Sequence, residues 1–466
     1  MRHTKILCTL GPSSSDYKTI KKMIEAGMDA VRLNFSHGDY NFHKEIVEKV
    51  RRASEEMKKP IAIVQDLAGP KLRIGRFKDK KVILKKGEEF ILTTKEIEGD
   101  EKRVSVSYKD LPSELKKGDT VLLADGTIKL EVKELKEEEI VTEVKEGGEL
   151  SDHKGINLPY IDIKLRAPTE KDKRDLEFGK SLGVDYILLS FVQSGEDVKV
   201  AKQLAGDIPV IAKIEKPVAV ENLSEIIEVS DGVMVARGDL GVEIGIERVP
   251  LIQKRIIEET NKRGKLAITA TQMLESMVFS HQPTRAEITD IATAVLDGSD
   301  ALMLSEETAI GKYPIKAIEV MDRTIREVES SPMFKLFTHP PLLKEGSFTN
   351  AIAIGAVEMV RKLELDAIVS YTISGLTVKY ISEYRPLCPI LALTPKKETY
   401  HNLSLHWGVI PILLEHSLET TEEMINYAKE RLVEFGIVKK GDRVVITAGY
   451  ERHEKGQTNM LILEKI

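Results

Sequence analysis

The chain has 466 residues, a length that predicts about three domains of roughly 150 residues each. Its net charge of −6 argues against a dedicated nucleic-acid binder, which usually carries a basic domain or stripe. The chain has only 2 cysteines, which excludes a disulfide framework. Its apolar runs are shorter than the ~18 residues that a membrane span needs. The apolar core near its first residue is too short for a signal peptide. We expect a cytoplasmic protein of several globular domains that binds no membrane, with Cys8 and Cys388 buried as free thiols.

Eight short apolar runs alternate with amphipathic stretches, and their near-continuous hydrophobicity predicts strands buried on both faces. The runs are Thr4–Thr9, Ala30–Phe35, Ile61–Leu67, Tyr186–Val192, Val210–Glu215, Gly232–Arg237, Leu266–Ala270 and Ala301–Ser305. Helical patterns lie between many of them, for example at Tyr17–Ala26, Phe42–Lys58, Glu170–Leu182, Val218–Val229 and Val249–Lys262. A strand followed by a helix, repeated eight times, predicts a (β/α)8 barrel, whose active site forms at the carboxyl ends of the strands.

The interval between the third and fourth runs has little helical pattern and predicts a separate all-β domain inserted in the barrel. Its β-rich runs are Lys81–Leu84, Glu89–Thr93, Arg103–Tyr108, Thr120–Ala124, Thr127–Val132 and Glu139–Val144. Asp125-Gly126 is a hairpin signal between two of these runs. We place this domain at 70–166, with hinges near Gly69-Pro70 and Ala167-Pro168, and the barrel at 1–69 plus 167–338. Inserted at the catalytic face, the β domain would act as a lid.

After about Glu329 the pattern changes again. Linker signals come first, at Ser331-Pro332, His339-Pro340-Pro341 and Gly346. Strand patterns then follow at Ala367–Tyr371, Ile390–Thr394, Val409–Leu413, Arg443–Thr447 and Met460–Glu464, the first three each followed by a helical pattern. We therefore predict an α/β domain with a mostly parallel sheet over 346–466.

Charged side chains follow two neighbouring barrel strands. Lys213 and Glu215 are two residues apart and point the same way from one strand, and Asp239 follows the next strand. Two carboxylates beside a lysine suit Mg²⁺, which takes one or two protein carboxylates plus substrate oxygens. A structural ion triad at the rim of the barrel explains the same pattern.

The second strand gives a weaker signal. Arg32, Asn34 and Ser36 share one face and offer a cation, an amide and a hydroxyl, which could cradle an anion. Ordinary strand-end polarity is the alternative. His37, Asp66 and Thr271 also follow strands, and each alone is as well explained by packing or capping.

Together these stretches resemble the pyruvate kinase family. The stretches that match, in family order, are RLNFSHG (32–38), DLAGPKLR (66–73), KGINLP (154–159), AKIEKP (212–217), MVARGDLGVE (234–243), ATQMLESM (270–277), PTRAEITDIATAVLDGSDALMLSEETAIGKYP (283–314) and SGLTVKYISEYRP (374–386). The resemblance runs from Thr4 to the C-terminus. It implies a barrel with a β lid and a C-terminal α/β regulatory domain, and the last reaction of glycolysis: phosphoryl transfer from phosphoenolpyruvate to ADP, giving pyruvate and ATP.

The resemblance also implies residue roles. Glu215 and Asp239 would hold Mg²⁺, for which Mn²⁺ can substitute, and Arg32 and Lys213 would contact the transferring phosphoryl group. The backbone at Gly238 and the Thr271 hydroxyl would receive the substrate carboxylate, with Thr271 also near the proton route to the enolate. The implied nucleotide contacts are Asn34, His37, Arg73 and Lys154. Ser305 and Glu307 would support the site from below.

A monovalent-cation position is implied at Asn34, Ser36, Asp66 and the carbonyl of Leu67. Relatives that require K⁺ usually carry Glu at the position of Lys71 and Thr at the position of Leu67. An ammonium at Lys71 would repel K⁺ and could supply the missing charge itself. We therefore expect K⁺ not to be required. A solvated hinge residue is the alternative interpretation of Lys71.

The turn from Thr372 to Thr377 joins a strand to a helix, where backbone N–H groups can bind phosphate. By resemblance, Thr372, Ser374, Gly375 and Thr377 would bind the phosphate of an allosteric effector; a plain N-capped helix start is the alternative. Ile373 and Leu376 stand where relatives that bind fructose 1,6-bisphosphate often carry basic residues, which leaves AMP or a sugar monophosphate open. The resemblance implies a homotetramer. A barrel lyase acting on a pyruvate enolate, and a non-catalytic sensor of the same fold, are the competing functions.

Overall fold

A computed structural model describes residues 2–161, 163–334, 347–416, 418, 420–449 and 458–466. A closed barrel of eight parallel strands is its largest element. The strands, in chain order, are Lys5–Thr9, Ala30–Asn34, Ala62–Asp66, Tyr186–Leu189, Val210–Ile214, Gly232–Ala236, Leu266–Ala270 and Ala301–Leu304. Each lies within one of the eight predicted runs, and the first strand pairs with the eighth to close the barrel. The predicted (β/α)8 architecture is confirmed.

Helices connect these strands around the outside of the barrel. They are Tyr17–Ala26, Tyr40–Glu56, Glu170–Leu182, Gly195–Ala205, Pro217–Glu221, Leu223–Val229, Arg237–Ile244, Val249–Lys262, Arg285–Leu296, Glu306–Ala309 and Pro314–Ser330. The helical pattern predicted at Val218–Val229 is present but interrupted, since the structure has two helices separated at Asn222. The side-chain amide of Asn222 donates to the carbonyl of Gln193 at 2.8 Å, a contact distant in sequence.

The barrel strands are buried on both faces, which accounts for their continuous hydrophobicity. Leu7, Ile211 and Met234 belong to the hydrophobic cluster inside the barrel. Ile6 and Ile63, on the opposite faces of their strands, pack in the larger cluster beneath the helices. Because all eight strands run parallel, their carboxyl ends meet at one rim of the barrel. Polar side chains from distant parts of the sequence converge there.

The inserted segment has its own hydrophobic core, which includes Phe90, Leu92 and Leu130. Its strands are Lys81–Leu84, Glu89–Thr93, Arg103–Ser105, Thr120–Leu123, Ile128–Leu135, Glu139–Glu146, Gly148–Ser151 and Ile156–Asn157, arranged in a six-stranded and a two-stranded sheet. The hairpin at Asp125-Gly126 is confirmed. The last two strands and the short helix Leu111–Glu114 were not predicted, because segments this short carry little periodicity.

The β insertion leaves the barrel at Gly69, whose φ of +65° favours glycine. A β-carbon there would stand 2.9 Å from the carbonyl oxygen of Ser190, so the chain can leave the third strand this closely only as glycine. The insertion returns to touch the barrel at the helix Arg237–Ile244. Asn157 Nδ2 donates to Glu243 Oε1 at 3.0 Å, and Tyr160 OH donates to the carbonyl of Ile244 at 3.4 Å.

The C-terminal segment is a five-stranded sheet flanked by helices. Its strands are Ala367–Tyr371, Ile390–Thr394, Val409–Leu413, Arg443–Ala448 and Met460–Lys465, and its helices are Phe348–Leu363, Leu376–Glu383, Lys397–Asn402 and Thr421–Glu434. Four strands run parallel and the last pairs antiparallel, as the predicted mostly parallel sheet requires. Against the amino end of the barrel, buried Lys5 donates to the carbonyl of Val409 at 2.7 Å.

Both cysteines are buried free thiols, as predicted. The linker signals at His339-Pro340-Pro341 and Gly346 lie outside the described residues, and the three domain boundaries stay predictions. No helix within the described ranges is long and apolar enough to cross a membrane.

Candidate active site

A buried ion network lies at the carboxyl ends of the second to fifth barrel strands. Arg32 Nε donates to Asp66 Oδ2 at 2.6 Å. Lys213 Nζ lies 3.4 Å from both Asp66 oxygens and 3.0 Å from Glu215 Oε1, and it donates to Ser190 Oγ at 2.8 Å. Two cations and two carboxylates, predicted as separate strand-end signals, therefore form one cluster.

Burial and charge compete in this network. Burial raises the pKa of Asp66, but the neighbouring Lys213 and Arg32 cations outweigh it, and the resulting pKa is lowered. Burial lowers the pKa of Lys213, but Asp66 and Glu215 outweigh it, and the resulting pKa is raised. For Glu215, burial prevails over the attraction of Lys213 and raises the pKa. The network therefore keeps Lys213 charged, with Asp66 as the anion that Lys213 and Arg32 share.

Asp239 lies in the first turn of the helix that follows the sixth strand. Lys71 Nζ, from the start of the β insertion, lies 2.8 Å from Asp239 Oδ1 and 5.8 Å from the centre of the Phe191 ring. Lys71 is thus engaged with the barrel, and it is not the solvated hinge residue of the alternative interpretation.

In the part of the chain that the structure describes, too few carboxylate, imidazole or thiol side chains lie together to enclose a metal ion without other ligands. Across the described ranges no group of three or more His, Cys, Asp or Glu side chains could hold one. Glu215 and Asp239 are near enough that the charge of Asp239 contributes to the raised pKa of Glu215. Two hard carboxylates at an open rim suit Mg²⁺, which completes its shell with water and substrate oxygens.

Thr271 begins a tight turn at the end of the seventh strand. Its φ is +69° and that of Gln272 is +55°, a left-handed conformation that a β-branched residue rarely adopts. The amide of Gly238 donates to Thr271 Oγ1 at 2.9 Å, and this hydroxyl donates to the carbonyl of Ala270 at 2.6 Å. Gly238 and Thr271, predicted as partners in one subsite, are in direct contact.

The residues predicted for a monovalent cation are near one another but largely engaged. Asn34 Oδ1 accepts from the amide of Ser36 at 3.1 Å. Both oxygens of Asp66 face cations or the Ser190 hydroxyl. Leu67 is buried and its amide donates to Leu188, which leaves its carbonyl as the predicted ligand.

His37 and Arg73, two of the predicted nucleotide contacts, lie near each other. Burial, and then the charges of Arg73, Arg32 and Lys71, lower the pKa of His37. Arg73 Nη1 donates to the carbonyl of His153 at 3.1 Å, next to exposed Lys154. The insertion therefore brings cations to the second-strand rim, where a polyphosphate could bind.

A cavity of about 490 Å³ opens beside this rim. Its wall includes Tyr40, Lys171 and Arg174. The ring of Tyr40 stacks on Phe178 with centroids 4.1 Å apart, and Lys171 Nζ donates to the carbonyl of Phe35 at 2.9 Å. Asp39 and Asp175 also line the cavity, so its aromatic surface, rather than its charge, is what suits the nucleoside part of a nucleotide.

The predicted effector turn is closely packed. Gly375 donates its amide to Thr372 Oγ1 at 2.9 Å, and Ser374 is exposed. Thr377 is buried and its hydroxyl is hydrogen-bonded to Thr458. Ser374 can therefore meet a ligand from solvent, whereas Thr377 is already committed to the protein.

Glu307 joins the turns after the seventh and eighth strands. Its carboxylate accepts from the amide of Leu274 at 3.0 Å and from that of Ser305 at 2.6 Å. Burial raises its pKa. This matches the supporting network predicted for Ser305 and Glu307.

Comparisons with known proteins agree with this arrangement. The profile described as "Pyruvate kinase, barrel domain" matches residues 1–318, and the one described as "Pyruvate kinase, alpha/beta domain" matches residues 350–463. The pyruvate kinases of Clostridium perfringens and Thermotoga maritima are 43% and 44% identical, each over 100% of both chains. That of Staphylococcus saprophyticus is 42% identical over 100% of this chain and 81% of its own length.

The chain belongs to the pyruvate kinase family. Its activity is that of the family, which is the transfer of a phosphoryl group from phosphoenolpyruvate to ADP. In this pyruvate kinase fold, sequence reasoning missed Ser190 as the partner of Lys213 and missed the cavity wall at Tyr40 and Lys171. Such pairings join residues far apart in the chain, and no local pattern could have indicated them.

Asp66→Asn tests the ion network. Removing the shared anion should lower the free energy of unfolding at pH 7 by about 3–5 kcal/mol, because Lys213 and Arg32 remain buried with one fewer partner. The folded-state pKa of Asp66 is lowered, so its stabilisation is present above its ordinary pKa of about 3.9 and is lost as pH falls through the folded-state value.

Urea unfolding followed by circular dichroism, at pH 7 and in steps below pH 4, measures this difference. The gap between the unmodified protein and Asp66→Asn should close as pH falls. Asp207→Asn, the same change at an exposed position, is the control. A gap that stays constant with pH would show that Asp66 contributes packing rather than charge.

Proposed function

We propose that the ion network at the carboxyl rim of the barrel is the phosphoryl-transfer site for phosphoenolpyruvate and ADP. The observation that carries the proposal is Lys213, a buried ammonium held 3.0 Å from Glu215 and beside the Asp66–Arg32 pair. Phosphoryl transfer requires charge neutralisation and alignment more than covalent help. Lys213 and Arg32 would bind the phosphoryl oxygens, and Lys213 would also stabilise the enolate left after transfer.

Glu215 and Asp239 would hold Mg²⁺, as members of this family generally use a divalent metal. The support is chemical: two carboxylates follow neighbouring strand ends, and Mg²⁺ takes one or two protein carboxylates plus substrate oxygens. When bound, the ion supplies positive charge against the phosphoryl group. Lys71 would exchange its contact with Asp239 for substrate or nucleotide oxygens as the site fills.

The turn at Thr271 would bind the substrate carboxylate. The Thr271 hydroxyl and the Gly238 amide are hydrogen-bonded to each other at 2.9 Å, and a bound carboxylate would replace each of them as the partner of the other. The proton that converts the enolate to pyruvate would arrive by a water near Thr271. The substrate's carboxylate and phosphoryl ends would then be held by separate parts of the rim.

ADP would lie between the second-strand rim and the β insertion. Asn34, His37, Arg73 and Lys154 would contact its phosphates, and the cavity beside Tyr40 and Lys171 would take its nucleoside. The β domain would close over the bound nucleotide and exclude water from the reaction. Asn157 of the β domain already contacts Glu243 of the barrel, so the domain would close toward the helix that carries Glu243.

A homotetramer is part of the proposal. Large apolar side chains are exposed at Ile246, Leu251 and Phe279 on the barrel, and at Phe348 and Leu463 on the C-terminal sheet and helix. Association of subunits would cover these side chains, provided that they lie in contiguous apolar surfaces. A cytoplasmic location is proposed with the glycolytic role.

Lys213→Met should lower turnover by at least about 10²- to 10³-fold, since a positioned charge is removed from the transition state. A coupled assay with phosphoenolpyruvate, ADP and Mg²⁺ measures it. Lys5→Met is the control, because Lys5 is another buried lysine but lies at the opposite end of the barrel. Near-normal turnover of Lys213→Met, with its fold intact by circular dichroism, would refute the assigned role.

Lys71 would make K⁺ unnecessary. We expect substantial activity in K⁺-free buffer balanced with a bulky organic cation, and we expect Lys71→Glu to make activity depend on K⁺, because the substitution replaces an ammonium with a carboxylate at the rim. Lys78→Glu, the same change at an exposed position of the insertion, should not alter the response. Strong activation of the unmodified enzyme by K⁺ would overturn this expectation.

The effector turn would bind a phosphate through Thr372, Ser374 and Gly375, of which Ser374 is exposed. Thr377, predicted as a fourth contact, would reach the phosphate only by giving up its hydrogen bond to Thr458. Ser374→Glu should weaken activation by whichever of AMP, ribose 5-phosphate, glucose 6-phosphate or fructose 1,6-bisphosphate activates the enzyme, because a carboxylate repels phosphate. Unstimulated turnover should stay constant. Ser181→Glu, on an exposed barrel helix, controls for added charge. Undiminished activation of Ser374→Glu would place the effector elsewhere.

A further inference from the structure

The turn at Thr271 and Gln272 is held by a side chain to which no role has yet been assigned. Two consecutive non-glycine residues in the left-handed region, one of them β-branched, make a backbone that persists only when its surroundings impose it. Gln272 is exposed, so packing of its own side chain does not impose the conformation. A neighbouring side chain can instead fix the turn by donating hydrogen bonds to the backbone carbonyls of Ala270 and Thr271.

Arg237 holds both carbonyls. It follows the sixth strand, next to Gly238. Its Nε donates to the carbonyl of Ala270 at 3.2 Å, and its Nη2 donates to that of Thr271 at 2.6 Å and to Met273 Sδ at 2.8 Å. One rigid guanidinium thus spans the turn on which the Thr271 hydroxyl depends.

Asp290 fixes the guanidinium in turn. Arg237 Nη1 lies 2.7 Å from each Asp290 carboxylate oxygen, and the Arg237 side chain is 10% exposed. Asp290 comes from the helix Arg285–Leu296, which begins with a capping box between Thr284 and Glu287. The sequence stretch PTRAEITD therefore has a physical task, which is to anchor the arginine that shapes the neighbouring turn.

We propose that Arg237, oriented by Asp290, is a positioning residue that keeps the Thr271–Gln272 turn left-handed and thereby aims the Thr271 hydroxyl at the Gly238 amide. The inference rests on the proposed role of Thr271 at the substrate carboxylate. Arg237 acts through the turn, since its donors are directed at backbone carbonyls, Asp290 and Met273. Its loss would misplace Thr271 without removing any group that contacts substrate.

A double-mutant cycle tests whether Arg237 acts through Thr271. Arg237→Met should lower kcat roughly 10²-fold, the cost of misplacing a reacting group by about 1 Å. In a Thr271→Ala background the same substitution should lower kcat far less, because groups that act as a unit are non-additive. Arg52→Met, which removes an exposed arginine paired with Glu56 at 3.0 Å, should leave turnover unchanged in both backgrounds. Equal losses with and without the Thr271 hydroxyl would overturn the proposal.

A glycine rescue tests the backbone conformation directly. Gln272→Gly adopts positive φ without strain, so adding it to Arg237→Met should restore kcat roughly tenfold. Lys58→Gly is the matched control, because Lys58 is also exposed with a φ of +50° but lies far along the chain from the turn. Equal recovery with both glycines, or recovery with neither, would show that Arg237 acts through general stability or by another route.

The same set of variants distinguishes a failure of this inference from a failure of the proposed function. If Thr271→Ala alone keeps full turnover, the proposed role of Thr271 fails, whatever Arg237 does. If Thr271→Ala loses turnover while Arg237→Met keeps it, the proposed function stands and the positioning role is wrong.

Discussion

The site depends on stabilising two positive charges, those of Lys213 and Arg32, at positions that are largely buried. Burial alone disfavours the charged form of Lys213, and a buried unpaired charge is costly. Asp66 resolves this, because its two oxygens serve Arg32, Lys213 and the Ser190 hydroxyl together. A barrel makes such sharing possible, since parallel strands end at one rim and bring residues from four strands within hydrogen-bond distance.

The same constraint explains the β insertion's first residues. Negative charge at Asp239 is met by Lys71, which the insertion delivers across the rim from its first residues. At Gly69 the chain leaves the third strand so close to Ser190 that a β-carbon there would stand 2.9 Å from the Ser190 carbonyl oxygen, and the hydroxyl of the same serine accepts from Lys213. The exit of the insertion and the ion network therefore share one small region, and movement of the insertion would change the electrostatics of the rim.

The sequence predicts most of this fold because a strand buried on both faces needs a continuous apolar run. All eight barrel strands and the central strands of the C-terminal sheet have such runs. Prediction was incomplete where contacts distant in sequence come in. Asn222, which interrupts the helical stretch predicted at Val218–Val229, bonds to Gln193, and Gly148–Ser151 is a strand through its pairing with Lys81–Leu84. For the site, the residue types and strand ends were predictable, while the Lys71–Asp239 and Lys213–Ser190 pairs were not, because spacing along the chain does not determine which rim residues meet.

The C-terminal sheet is connected to the rim by continuous contacts. The helix that begins at the effector turn, Leu376–Glu383, is followed by Arg385, whose Nη1 lies 2.8 Å from Asp300 Oδ1. Asp300 immediately precedes the eighth strand, which ends at Leu304. The amide of the next residue, Ser305, donates to Glu307. Glu307 in turn holds the amide of Leu274, three residues beyond Thr271. Spatial continuity transmits a signal only if some element on the route has two arrangements. On this route the left-handed turn after the seventh strand is the point that Glu307 reaches through the amide of Leu274 and that Arg237 contacts directly. A second arrangement of that turn would therefore be felt first at the Thr271 hydroxyl.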